Sequence, residues 1–424
     1  MPSNLLPPCP MPQAHKRLMD CHAQWHALQE SYFCPDSFRL ALNTFLQTHR
    51  SVTSLLLKHK SNLPKFQDWF SEYDDQAAKT DVMRWAKKSR NRIVHESDLD
   101  LNSSCHVTWI GNWHNRQEVK ATFPPRMSVS EIIEAIKNSR GMPPFGTITI
   151  RRRWVDGALN AWEVLDAAAA CYMHLNDLLR AGHLAAGVPR CDVEGSYEEC
   201  VDSSLTDASG KLNCMHTAQS ELASHFSVPD GVILDGVSEE LEIDEAKIQA
   251  SIERYKIPEF PDGDAIARVP GMMAVARKVM ERDGEHGTFA FCFKGESLLT
   301  IQAMRFDSQR VKILSFERLA DLVESTRADG VLVIGEMWMA LQTDREKELG
   351  TVLFPARDRL DRMEVLSVFA VTRDGRQAET VCFVERGSSG EARCGEISGI
   401  DSGGVMNTLI PVRRKWKEME SRGL

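Results

Sequence analysis

Residues 157–187, GALNAWEVLDAAAACYMHLNDLLRAGHLAAG, decide the architecture of the first half of the chain. The run is rich in alanine and leucine, the strongest helix formers, and holds no proline. Trp162, Leu165, Ala169, Tyr172 and Leu175 recur at three- and four-residue steps, so the helix has one apolar stripe to bury. A stripe of this length needs other helices beside it, and the first hundred residues supply them. Residues 14–31 predict a first helix, with Leu18, Cys21, Trp25 and Leu28 on one face. A second runs from CPDSF to about residue 60, started by Pro35 and Asp36 and buried through Phe38, Leu42, Phe45, Val52, Leu55 and Leu56. Pro64 starts a third, short helix through KFQDWFSEY, and a fourth begins near Asp81. The expectation is a mainly α-helical bundle over residues 14–187.

The bundle is interrupted. SCHVTWIGNW and FGTITIRRRWV are β-branched and aromatic runs of strand length. Between them SVSEIIEAIKNSRG predicts a helix with a Ser128–Glu131 capping box and a stop at Gly141. Residues 188–243 are polar and acidic and read as a linker with partial order. Residues 244–424 then alternate helices with mostly hairpin-linked strands, which predicts an α+β domain with a mixed, mostly antiparallel sheet. GVLVIGEMWMA is apolar without interruption, as a strand at the centre of a sheet is. C-terminal VRRKWKEM reads as a surface helix.

At 424 residues the chain exceeds one ordinary core, and no apolar run is long enough to span a bilayer. The opening MPSNLLPPCPMPQ lacks a basic stretch followed by an apolar one, so it predicts a short disordered lead rather than a signal peptide, and a cytoplasmic protein. The 11 cysteines are irregularly spaced with no C-x-x-C, which argues against a disulfide scaffold. Zinc ligands usually pair two to four residues apart. Among Cys191, Cys200, Cys214 and His216 only the last two come near that spacing, so reduced cysteines and no metal are expected. The net charge is −9, yet residues 190–265 alone carry −13, so acidity in the middle of the chain does not exclude a nucleic-acid partner for the helical segment.

That segment carries the main candidate site, RNRIVHE at residues 90–96. On a helical wheel Val82, Trp85, Ala86, Ser89 and Ile93 face the core. Arg84, Lys88, Asn91 and His95 form a stripe nearly opposite, with Arg90 on the flank. A polar stripe is most often a solvated face. Here a histidine, able to move a proton near neutral pH, sits among cations able to hold charge on phosphate oxygens.

Arg90-Asn91-Arg92-Ile93-Val94-His95 resembles the signature of the HEPN superfamily: an arginine, a polar residue, three variable positions, then histidine. HEPN domains are helical bundles that carry the motif near the end of a late helix. The resemblance covers residues 14–185 and implies metal-independent RNA cleavage without a cofactor. Such proteins occur in toxin–antitoxin pairs, abortive-infection systems and CRISPR-associated effectors, and their two motifs meet across a homodimer axis. Carried over, Arg90 would bind the scissile phosphate, His95 would assist proton transfer, and Asn91 would orient either. Arg84, Lys87, Lys88 and Arg92 would hold the RNA backbone, with an antitoxin or regulatory protein as a further partner. Departures are the strand insertion and the acids Glu96, Asp98 and Asp100 just after the histidine, which would repel phosphate unless paired. Many HEPN members are non-catalytic, so a dimerising interaction protein is the alternative reading.

Lesser candidates follow. RRRW at 151–154 suits base stacking, though an exposed strand end is the commoner explanation. Glu336 stands at the end of an apolar strand, and Arg357 and Arg359 could recognise phosphate or carboxylate, which suggests a third reading as a small-ligand binder. No histidine follows His286, which removes histidine-based chemistry from the rest of the chain.

Overall fold

The computed structural model describes residues 6–119, 123–124, 126–138, 143–193, 212–215, 222–234, 237–241, 245–257, 262–349, 354, 356–388, 390–398 and 405–423. The chain divides into two compact units. The first holds residues 1–108, 118–143 and 149–224; the second holds 109–117, 144–148 and 225–424.

In the first unit, α1 (Pro12–Glu30), α2 (Pro35–Lys58), α3 (Phe66–Lys79) and α4 (Asp81–His95) precede the strands. Prolines open α1 and α2 at positions where their missing N–H costs nothing. Along the chain follow strands β1 (Leu101–Ile110) and β2 (Arg116–Val119), helix α5 (Val129–Lys137), strand β3 (Thr147–Asp156), α6 (Val164–Ala185) and strand β4 (Ala223–Ser227), and the boundary between the units falls within each of these four strands. The four strands form a sheet of order β2-β1-β3-β4. Ser128 and Glu131 make the capping box of α5, with Ser128 N donating to Glu131 Oε2 at 2.7 Å. The expected stop at Gly141 lies outside the described residues.

α6 is the spine of the bundle, as its alanines allow close approach on every side. Its Leu165, Ala169, Tyr172 and Leu175 are buried in one core with Leu18, Trp25 and Leu28 of α1, Phe38, Leu42 and Phe45 of α2, and Val82 and Trp85 of α4. Trp25 Nε1 donates to Leu165 O at 2.9 Å. Trp162 is a correction: α6 begins two residues later, with Glu163 as its N-cap, and leaves Trp162 exposed. The lead is a second correction. Cys9 and Met11 are buried in this same core rather than lying in a loose tail.

The second unit contains β5 (Val237–Leu241), α7 (Glu245–Tyr255), α8 (Val269–Asp283), β6 (Thr288–Lys294), β7 (Ser297–Arg305), α9 (Gln309–Thr326), β8 (Gly330–Met339), α10 (Asp344–Leu349), β9 (Met363–Thr372), β10 (Gln377–Arg386), β11 (Ala392–Ser398) and α11 (Ile410–Ser421). Its seven-stranded sheet has the order β11-β10-β9-β8-β6-β7-β5, and its strand pairings are antiparallel. The fold class is therefore a helical bundle with strands inserted, followed by an α+β unit.

β8 shows why its sequence reads as continuously apolar. Val331 and Val333 point into a core with Phe316 and Val323 of α9 and Trp416 of α11. The alternating Leu332 and Ile334 point into a separate core with Met272, Met273 and Ala276 of α8. With both faces covered, neither parity of the strand can be polar. The C-terminal helix is consequently not a surface helix. Val412, Lys415, Trp416 and Met419 of α11 are buried, and Trp416 Nε1 donates to Ala328 O at 2.8 Å.

Candidate functional site

α4 presents its residues as the wheel places them. Val82, Met83, Trp85, Ala86 and Ser89 are buried, while Lys87, Lys88, Asn91 and His95 are exposed. Arg90 is half-buried on the flank and donates from Nη1 to Asn91 Oδ1 at 3.2 Å. A five-residue step turns the helix through about 140° beyond a full turn, so Arg90 and His95 of one chain diverge. Arg84 is engaged locally, paired with Asp81 and donating to Ala78 O at 3.1 Å. Arg92 Nε donates to Ser97 Oγ at 3.1 Å. Of the neighbouring acids, Asp98 is drawn off by Arg39 at 3.1 Å. Among the described residues, Lys87, Lys88, Arg90 and Arg92 make no ion pair.

The RRRW candidate is internal. Arg152 is 2% exposed and Trp154 1%. Trp154 stacks on Phe38 at 4.8 Å and donates from Nε1 to Tyr32 O at 2.9 Å, with the Arg152 guanidinium over its ring at 5.1 Å. Strand alternation turns Arg152 and Trp154 inward together and leaves Arg153 outside, so neither base stacking nor an exposed arginine cluster applies.

In the second unit, a cleft of about 1160 Å³ is lined by Trp113, Phe306, Lys312, Glu336, Trp338, Arg357 and Arg362, among others. The Arg362 guanidinium lies 4.6 Å from the Trp338 ring centre. Loss of hydration pulls the Lys312 ammonium down to about 8. Burial raises the Glu336 carboxyl, reinforced by neighbouring Glu364 and opposed by Arg386. Of the two arginines singled out in sequence, Arg357 reaches the cleft, where it also lies 3.5 Å from Asp358. Arg359 is occupied by Glu346 at 2.9 Å and Asp361 at 2.6 Å, so it is not free to recognise a ligand.

Sequence reasoning missed a cluster that the first unit assembles from its two ends. Cys9, His15 on α1, His183 on α6 and Cys191 bring their ligand atoms within 4.8 Å of one another. Cys9 Sγ lies 3.6 Å from His15 Nδ1 and 3.4 Å from His183 Nε2, and Cys191 Sγ lies 3.4 Å from His15 Nδ1. His183 Nδ1 donates to Leu179 O at 2.8 Å, which leaves Nε2 as the bare nitrogen facing the sulfurs. Burial, aided by His183, pulls His15 down to about 4, so it is neutral at physiological pH; burial pushes the Cys9 thiol up to about 12. Gly182, next to His183, packs against Met11, whose Cε a Cβ there would meet at 2.5 Å. A smaller set, His22, His26 and Cys214, lies along the same helix α1, with His22 Nε2 3.0 Å from Cys214 Sγ. Cys191 and Cys214, grouped together in sequence, thus belong to different clusters; Cys200 and His216 lie outside the described residues. The only sequence signal was a histidine on the apolar stripe of each of α1 and α6, because ligand pairs six and eight positions apart fit no zinc-knuckle spacing.

No helix among the described residues is long and apolar enough to cross a membrane. No solved structure is detectably similar to this chain. Protein ea47 of Escherichia phage lambda is 26% identical over 335 residues, covering 76% of this chain and 78% of that protein. The family described as Bacteriophage lambda protein ea47 matches residues 7–422, nearly the whole length, and the chain belongs to that family.

Proposed function

We propose that the exposed face of α4 is half of a metal-independent ribonuclease site, completed by α4 of a second copy in a cytoplasmic homodimer. The observation that carries this reading is the joint exposure of Asn91 and His95 beside Arg90, on a face where Lys87 and Lys88 are also exposed. One chain cannot turn Arg90 and His95 to the same phosphate, whereas two antiparallel copies can. In the reaction, His95 takes the proton of the RNA 2′-hydroxyl as its oxygen bonds to phosphorus. The bond to the 5′-oxygen breaks, that oxygen gains a proton, and a 2′,3′-cyclic phosphate and a 5′-hydroxyl remain. Arg90 holds the charge that builds on the phosphate oxygens. In this reading the chain acts as a toxin or defence effector, with an antitoxin or regulatory protein as partner and the second unit as its regulatory or target-binding part.

The test is incubation of the full-length protein with end-labelled RNA in EDTA, with circular dichroism confirming that the fold persists. Wild type cleaves, and His95→Ala and Arg90→Ala each lose about 10²–10⁴-fold in rate at unchanged folding. Absence of cleavage by a folded wild-type dimer refutes the nuclease and leaves an interaction protein.

The cleft of the second unit favours a second reading, as a receptor for an anionic, ring-bearing small molecule. Trp338 and Phe306 offer stacking surfaces, and Lys312, Arg357 and Arg362 offer cations to one cavity. Quenching of tryptophan fluorescence by nucleotides, lost in Lys312→Gln, is the expected behaviour.

A further inference from the structure

We propose that Cys9, His15, His183 and Cys191 bind a structural Zn²⁺ ion that fastens the N-terminal segment and the chain beyond α6 to the helical bundle. The geometry is that of a coordination polyhedron rather than of paired hydrogen bonds. Cys9 Sγ faces two imidazole nitrogens at 3.6 and 3.4 Å, and His15 Nδ1 faces two sulfurs at 3.6 and 3.4 Å. One thiol proton can serve only one such contact. A tetrahedral zinc with bonds of about 2.3 Å to sulfur and about 2.0–2.1 Å to nitrogen sets sulfur and nitrogen about 3.6 Å apart. The observed spacings match that edge, and all four atoms stay within 4.8 Å of one another.

The chemistry of the set agrees. Two thiolates neutralise the charge of the ion, which a site with three buried ligands requires. The sulfur and imidazole donors suit zinc better than magnesium or calcium, which take oxygen ligands. Four protein ligands close the coordination sphere, so the ion is structural and leaves no position for substrate. The hydrogen bond from His183 Nδ1 to Leu179 O is the outer-shell contact that fixes the ring of a metal-bound histidine. Around the cluster the chain is already gathered: Cys9 N donates to Asp192 Oδ1 at 2.9 Å, and Asp192 N donates to Pro7 O at 2.9 Å. His22, His26 and Cys214 form a separate three-ligand group and serve as the internal control.

The test is metal analysis of the full-length protein purified without chelators or a histidine tag, followed by exchange of the bound ion for Co²⁺. Wild type retains zinc through dialysis, and its Co²⁺ form shows tetrahedral ligand-field bands with thiolate charge transfer. Cys9→Ser and Cys191→Ser each lose one equivalent, Cys214→Ser keeps that equivalent, and His183→Cys, which preserves four good ligands, keeps it with an altered Co²⁺ spectrum. Should the serine variants not fold, His183→Cys decides: an altered Co²⁺ spectrum assigns the ion to this cluster, and an unchanged one overturns the proposal. A wild type that holds no zinc and gives no tetrahedral Co²⁺ spectrum overturns the proposal, as does metal lost from Cys214→Ser but kept by Cys9→Ser.

Discussion

Cys9 Sγ and His183 Nε2 lie 3.4 Å apart although 174 positions separate them along the chain. The contact turns an expected loose lead into part of the core, and it closes the first unit on itself. A bound ion stabilises the folded state by mass action: free Zn²⁺ at 100 times its dissociation constant adds about 2.7 kcal/mol. Metal-loaded protein is therefore expected to melt above the stripped protein, and the gap to close in Cys9→Ser. Differential scanning fluorimetry with and without a chelator measures this directly.

Glu163 makes a pH dependence that runs opposite to the usual carboxylate. Its side chain is buried and accepts from Leu165 N at 2.6 Å and Asp166 N at 3.2 Å at the start of α6. Burial outweighs those hydrogen bonds and raises its carboxyl from 4.5 to about 7. Between these values the folded chain holds a proton that the unfolded chain has released. Stability accordingly falls as pH rises through that window, by on the order of 3 kcal/mol once pH exceeds 7. Glu163→Gln keeps an acceptor for the helix N-terminus and cannot ionise. Urea unfolding is expected to show the variant matching wild type near pH 5 and exceeding it at pH 8.

Lys415 anchors α11 from inside. Its ammonium sits 2.9 Å from Asp321 and 3.0 Å from Glu324 of α9, and Arg422 reaches Glu324 at 2.6 Å. Burial tends to raise Glu324, but the hydrogen bonds from Lys415 and Arg422 overcome it and hold the carboxyl below its usual range. A depressed carboxylate lends stability above its unfolded pKa and loses it as pH falls through the folded one. Lys415→Met removes the buried ammonium that Asp321 and Glu324 share and is expected to cost about 3–5 kcal/mol at pH 7. The deficit should shrink on acidification as Glu324 protonates, which a set of urea melts from pH 7 to pH 3 reads.

How much of this was legible follows from what periodicity can carry. Helices α1, α2 and α4 and strand β8 each bury a regular stripe, so sequence alone placed them and chose their faces. On α4 the four wheel residues Val82, Trp85, Ala86 and Ser89 are buried and Ile93 packs against the core, while Met83, which the wheel did not assign to that face, is buried as well. Arg152 failed because charge was read as exposure, while strand parity assigns it inward beside Trp154. α11 failed because its stripe of Val412, Trp416 and Met419 is broken by Lys415, whose partners lie 91 and 94 positions away. The cluster of Cys9, His15, His183 and Cys191 failed for the same reason on a larger scale. Its ligands come from both ends of the unit, and only packing brings them together.

The cationic face of α4 has a signature that does not depend on catalysis. Lys87 and Lys88 are exposed and, among the described residues, without ion pairs, so each is available to neutralise one phosphate. Binding of single-stranded RNA releases about 0.7 counterion per phosphate neutralised, which sets the slope of log affinity against log salt. Replacing both lysines with alanine is expected to reduce that slope by about 1.4 and to weaken binding at low salt, uniformly across RNA sequences. His95→Ala leaves both lysines in place and should keep the slope near that of wild type while abolishing cleavage. Filter binding over a salt series separates the two. An unchanged slope in the double lysine variant would place the RNA elsewhere on the molecule and remove α4 as its docking face.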